Sequence, residues 1–301
     1  MSVPTVMQRA VTGRAAVRKR HNVGAVIAKK ASRLLLLVLV ALGSVVFVTP
    51  FAWMVSSSVK STEEVMRFPP VWIPSVIHLE HYIEPWHRLP FSLYYRNTLI
   101  VVAFNLVGTI LSSSIVAYGF ARLRFRGRNL LFLILLSTMM LPSQVTLVPT
   151  YYLFAKLGWV NSLKPLIIPV YFGSAFNIFL LRQFMMTVPL ELDDAAKIDG
   201  CGFFSIYWRI IMPLAKAALG VIAIFQFTYD WNDFFNPLIY INSPHNFTIA
   251  LGLRTLQSTL LYTPMQQVMA MTLVAMTPVL LVFILAQRYF IQGIVITGVK
   301  G

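Results

Sequence analysis

Three places in the sequence gather residues whose types and spacing could do chemistry. The densest is 189–213, where four of the ten acidic residues (Glu191, Asp193, Asp194 and Asp199) fall within nine positions. Local physics predicts a short helix here. Pro189 suits its first turn, the leading acids face the positive end of the helix dipole, and Gly200 can turn the chain out just past the end. Ala195 and Ala196 supply a small face that another surface can approach closely. A second short helix is expected over 203–211, presenting Phe204, Tyr207 and Trp208 and stopping at Pro213. As pure structure this could be an ordinary helix–turn–helix lying on the membrane.

The other two places are weaker candidates. His78, His81 and His87 share a ten-residue stretch with Glu80 and Glu84, and His81 with Glu84 has helical i, i+3 spacing. A metal site would need these ligands on one face, yet Pro85 interrupts the stretch and no cysteine joins it, so a solvated connection with interfacial Tyr82 and Trp86 is expected and no metal. Asp230, Trp231, Asn232 and Asp233 form a polar run inside an apolar stretch, where they must either line a solute's route or cap a helix end. No catalytic group is assigned. His21 lies in a basic leader, His245 follows Pro244, and neither places an imidazole beside a nucleophile. The single cysteine, Cys201, forms no intrachain disulfide. No G-x-x-x-x-G-K phosphate loop occurs, so ATP hydrolysis by that mechanism is not expected of this chain.

The elements that must position these residues are membrane helices. Of 301 residues, 57% are hydrophobic and 12% charged, against about a quarter charged in a soluble domain, and mean hydropathy is +0.72. Six apolar stretches approach the ~20 residues that cross a bilayer: 34–55, 98–121, 130–152, 165–181, 217–240 and 265–287. Pro142 and Pro149 predict a kink or early exit in the third. An organisation follows: a basic extension over 1–33, a six-helix transmembrane domain over 34–287 carrying the loop 182–216, and a tail over 288–301. The net charge of +15 would suggest nucleic acid on a soluble protein. Here it follows the positive-inside rule, since 18 of the 25 basic residues fall on one side if both termini are cytoplasmic. The leader carries no interleaved aromatics, so it suits anionic lipid rather than nucleic acid.

The loop over 189–213 resembles the EAA motif of ABC importer permeases. That motif reads Glu-Ala-Ala, three residues, Gly, nine residues, then Ile-x-Leu-Pro. Here it stands as Asp194-Ala195-Ala196, Gly200 and Ile210-Ile211-Met212-Pro213, with both gaps intact and with Asp for Glu and Met for Leu. The segments 176–184, Trp231-Asn232-Asp233-Phe234 with Pro237-Leu238, and the ending Thr297-Gly-Val-Lys-Gly301 are similar to the carbohydrate, maltose-permease-like branch. The resemblance implies an all-α integral membrane subunit of type I architecture in a prokaryotic cell membrane, with both termini cytoplasmic. It also implies a second homologous permease, two ATP-binding cassette subunits that hold the ATP and Mg, and an external solute-binding protein that delivers a di- or oligosaccharide. No cofactor is expected in this chain. Glu191, Asp193, Asp194, Ala195, Ala196, Gly200, Ile210 and Pro213 would form the coupling element to the ATPase. Another polar solute, such as glycerol-3-phosphate, is the alternative within the branch. A proton-coupled carrier is the rival outside it, with only Asp230 and Asp233 to serve as membrane carboxylates.

Overall fold

The computed structural model describes the backbone of residues 6–258 and 264–298, and the side chains of 28–257 and 264–286. Expectations about the side chains of the basic leader and of the tail after 287 lie outside the described residues. Among the described residues the chain is helical and contains no strand. The principal elements are α1 (Val6–Ser58), α2 (Phe91–Arg122), α3 (Arg128–Ser137), α4 (Ser143–Lys156), α5 (Ala175–Thr187), α6 (Glu191–Ile198), α7 (Lys216–Asn232), α8 (Ile249–Ser258) and α9 (Met265–Gly298).

Four stretches are long and apolar enough to cross a membrane without a sharp bend: Ala28–Ser58, Phe91–Arg122, Lys164–Thr187 (interrupted at Gly173–Ser174) and Met265–Ala286. The other two expected spans are bent. Arg128–Met140 meets Ser143–Lys156 at 96°, and Phe203–Leu214 meets Lys216–Asn232 at 76°. The first bend falls at Leu141–Pro142, where proline lacks the N–H that would continue the ladder. Pro149, in contrast, is carried inside α4.

Two expectations need correction. The fifth span ends at Asn232 rather than at residue 240, because Asp233 turns extended and its carboxylate takes the Asn236 N–H at 3.1 Å, starting the separate turn Phe235–Tyr240. Pro213 does not stop the helix that begins at Phe203. Its missing N–H is absorbed by a π-helical turn over Tyr207–Ile211, and the helix runs on through Met212–Leu214.

α2 is the central helix, packing against α5 and α7, while α9 packs against α1 and α7. Its buried face is unusually small and polar (Asn105, Gly108, Thr109, Ser113 and Ser114). Small residues let helices approach closely where lipid offers no hydrophobic drive for association. Gly108 shows the fit: a Cβ there would lie 2.9 Å from the Tyr171 ring. Outward faces are apolar, with Leu34–Leu37 of α1 all more than half exposed, as suits contact with lipid or a second membrane chain.

The histidine loop is folded rather than merely solvated. His81 is buried, and its Nδ1 donates to the Ser58 carbonyl at 3.1 Å; His78 Nδ1 instead meets Glu80 at 2.6 Å. Pro85 does not interrupt structure but occupies the first turn of the helix Glu84–Arg88. Gln267 at the start of α9 donates to Glu84 at 2.6 Å, and Gln266 to Thr62 at 2.7 Å, so the loop is tied down. His81 and Glu84 therefore serve different partners, and no metal-ligating group of three forms among the described residues.

Gly252 of α8 offers a direct test of this packing. An added Cβ would lie 2.2 Å from Cδ2 of the fully buried Tyr94, close to the root of its ring. Gly252→Ala is expected to cost ~1–3 kcal/mol through overpacking. Gly43→Ala, inside α1 with nothing within 4 Å, is expected to stabilise by ~0.5–1 kcal/mol rather than to cost anything. Thermal unfolding of the purified chain in detergent reads both.

Candidate functional site: a clamped surface helix and an acidic membrane cavity

α6 forms where the acids predict it, with Glu191, Asp193 and Asp194 in its first turn and Lys197 in its last. Its end is a Schellman motif. Gly200 N–H donates to Lys197 O at 3.0 Å and Cys201 N–H to Ala196 O at 2.9 Å, with Gly200 left-handed at φ +79°. A Cβ at Gly200 would meet nothing within 4 Å, so space does not exclude a side chain and only the backbone demands glycine.

The two faces of α6 differ from the small-faced helix expected. Asp193 and Ala196 are buried against the chain's own bundle, Ala196 in a cluster with Tyr118, Met185 and Ile206. Only Ala195 of the alanine pair looks outward, beside exposed Asp194, Leu192 and Ile198, the last 87% exposed. Lys197 lies 2.9 Å from Asp194, and its hydrogen bond and charge hold that carboxyl below its usual pKa. Glu191 is exposed.

Three contacts clamp this loop to α2. Arg122, its side chain 1% exposed, donates to Val188 O at 2.9 Å, and its Nε faces Asp193 Oδ2 at 3.8 Å. Tyr118 Oη donates to Phe203 O at 3.1 Å. Tyr207 Oη meets Ser114 Oγ at 2.7 Å. Tyr207 is thus buried, not presented, whereas Phe204 and Trp208 are exposed as expected. Ile210 is half-buried against the same core and Pro213 is exposed. None of the tethers on α2 was singled out by sequence reasoning, although Arg122 was visible as the first of four arginines at the end of a span.

The polar run in α7 divides. Asp230 is buried and its Oδ1 accepts from Asn105 at 3.0 Å, while Gln226 Nε2 lies 3.0 and 2.9 Å from its two oxygens. Asp233 holds Asn236 through its backbone N–H and, at 2.9 Å, its side-chain amide. Both acids line a cavity of about 260 Å³ between α2, α4 and α7. Trp231 faces away: its Nε1 donates to Ala275 O of α9 at 2.8 Å, and its ring is buried among Phe91, Tyr94 and Met271. Asn232 donates to its own helix at Thr228 O, 2.8 Å away. Asn105 and Gln226 were missed, although an amide inside an otherwise apolar span is itself a signal. Asn161 was missed as well. It adopts φ 62°, its Oδ1 accepts from Ser243 N–H at 2.8 Å, and its own N–H donates to Tyr240 O at 2.7 Å, fastening the rim of the cavity.

The described residues thus form apolar, partly bent helices with a helical loop clamped at one end and an acidic cavity among the spans. Residues 108–296 match the model of the binding-protein-dependent transport system inner membrane component, and the chain belongs to that family of ABC transporter permeases. It is 32% identical over 266 residues to the arabinooligosaccharides transport system permease protein AraQ of Bacillus subtilis, covering 86% of this chain and 92% of that protein. It is 34% identical over 239 residues to the sn-glycerol-3-phosphate transport system permease protein UgpE of Yersinia pestis, covering 77% and 85%. The fold is that of a chain from a bacterial ABC transporter involved in the import of the acidic polysaccharide alginate, with a TM-score of 0.78, 23% identity, and coverage of 87% of this chain and 98% of that one.

The clamp yields a prediction. Asp193→Ala leaves the buried Arg122 guanidinium without its carboxylate and is expected to cost ~3 kcal/mol of local stability. Asp194→Ala removes only an exposed pair. Hydrogen exchange across 191–200 should rise by more than tenfold in the first variant and change little in the second.

Proposed function

We propose that this chain is one of two permease subunits of an ATP-driven, binding-protein-dependent importer of a di- or oligosaccharide, set in the inner membrane of a prokaryote. Glu191–Asp199 is its docking element for an ATP-binding cassette subunit. The arginine-rich end of the bundle and both termini face the cytoplasm, following the positive-inside rule. ATP and Mg are held by the two cassette subunits. Closure of those subunits moves α6, and the tethers to α2 carry the displacement into the spans that form the solute's route.

The observation that carries this reading is the division of α6. One face is anchored to the bundle through Asp193 and Ala196, and the other offers Asp194, Ala195 and Ile198 to a partner. A transmitting helix needs both: an anchor so that displacement is not lost, and an exposed patch for docking. Ile198 is an apolar side chain left 87% exposed. The similarity to AraQ supports an oligosaccharide as the solute, and the similarity to UgpE keeps glycerol-3-phosphate as the second reading.

Asp194→Lys and Ile198→Glu are expected to leave the permease inserted while reducing solute-stimulated ATP hydrolysis of the reconstituted complex more than tenfold. Gly200→Val is expected to do the same through its left-handed backbone, which costs a β-branched residue ~1–2 kcal/mol or more. Gly200→Asn, which tolerates that conformation, should retain most of the stimulation. Full stimulation in both Asp194→Lys and Ile198→Glu would place the docking element elsewhere.

A further inference from the structure

The cavity between α2, α4 and α7 is unusual in its inventory of donors and acceptors. Its lining amides are already engaged as donors. Asn105 Nδ2 gives to Leu166 O and Asp230 Oδ1, both at 3.0 Å; Gln226 Nε2 gives to Asp230; and Asn236 Nδ2 gives to Asp233 Oδ2 at 2.9 Å. What remains turned to the space is acceptor capacity. Both oxygens of Asp230 accept, as an ionised carboxylate does, and two carboxylates have lone pairs beyond those the amides use. Asn105 borders the cavity but is 1% exposed, and its Oδ1, which has no hydrogen-bond partner, is covered rather than open to the space. A buried acceptor left unmade costs ~1–3 kcal/mol, and a carboxylate in a membrane span without a cation costs more. None of the described residues that line the cavity is Lys or Arg. Tyr229, 63% exposed, adds an aromatic ring to the wall.

We infer that this cavity is a solute subsite selective for neutral, hydroxyl-rich compounds and closed to anionic ones. The inference rests on the importer reading and narrows it. A glycosyl unit brings hydroxyl donors that Asp230 and Asp233 can accept, and its ring can lie against Tyr229. A phosphate or uronate brings further acceptors and negative charge to a lining that offers no lysine or arginine and already carries two carboxylates. The subsite therefore favours an uncharged oligosaccharide over glycerol-3-phosphate, a distinction that the similarities to relatives do not make.

The test uses the complete reconstituted importer in vesicles. Thr150, on the α4 wall of the cavity, is replaced by cysteine (T150C) in a Cys201→Ser background. Its reaction is followed with aminoethyl, hydroxyethyl and sulfonatoethyl methanethiosulfonates. The acidic lining should make the cationic reagent react about tenfold or more faster than the anionic one, relative to the same thiol free in solution. Asp230→Asn with Asp233→Asn should collapse that ratio, asparagine preserving the cap at 233. An uncharged arabino-oligosaccharide delivered by the binding protein should slow the hydroxyethyl reaction, and glycerol-3-phosphate should not. A ratio unchanged in the double variant, equal protection by glycerol-3-phosphate, or no reaction with any reagent overturns the subsite. Failure of the unmodified complex to take up any oligosaccharide would instead overturn the sugar reading, so the two failures are separable.

Discussion

The position of α6 depends on how it is attached to the bundle, and the attachment centres on Arg122. This guanidinium sits at the last turn of α2, almost wholly covered, with one nitrogen on the Val188 carbonyl and Nε facing Asp193 at 3.8 Å. A buried cation is expensive unless it is paired, so the pair constrains where α6 can sit. The geometry is not that of a tight fork. Nε and Asp193 Oδ1 both lack a hydrogen-bond partner, which makes this an electrostatic tie rather than a bidentate lock. Tyr118 and Tyr207 reinforce it with hydroxyl bonds on either side of the second short helix. All three tethers come from α2, the helix that also packs on α5 and α7 and lines the cavity.

The same central helix links the two ends of the molecule. Ser114, Tyr118 and Arg122 occupy successive turns of one face near the clamp, while Asn97 and Asn105 lie on turns nearer the other end. Asn97 donates to His245 O at 2.9 Å and Phe247 O at 3.1 Å, and Asn105 reaches Asp230. A polar group at these depths is satisfied only by another part of the protein, so each amide also fixes a neighbouring segment. The polar side chains of α2 thus organise the clamp and the cavity alike, and a shift of this helix cannot leave either unchanged.

Much of this was legible in the residues. Hydropathy located the spans because lipid imposes a length and forbids unpaired backbone, and the acids of 191–199 with Gly200 marked α6 because caps and dipoles are local effects. What escaped was decided by tertiary geometry. Ala195 and Ala196 are adjacent, hence ~100° apart around a helix, and nothing local says which one faces the bundle. Trp231 and Asp230 divide for the same reason, one toward α9 and one toward the cavity. Pro213 and Pro85 each look like a stop in one dimension. The first is accommodated by a π-helical turn and the second by a first-turn position. Asn105 and Asn161 act only through partners more than fifty residues away in sequence, which no local pattern reveals.

The proposed coupling requires α6 to move as one body with α2, to which it is clamped, so that a force on its exposed face reaches the spans. Spin labels on Glu191 at the start of α6 and Ile115 of α2, both exposed and outside the patch formed by Asp194, Ala195 and Ile198, read this directly in the reconstituted complex. Pulsed electron-spin distances would be taken without nucleotide and with ATP trapped. The account predicts one unchanged, narrow distribution between these labels in both states, broadening on Asp193→Ala. A distance that shifts on ATP binding in the unaltered chain would mean that α6 slides on the bundle, and would contradict it.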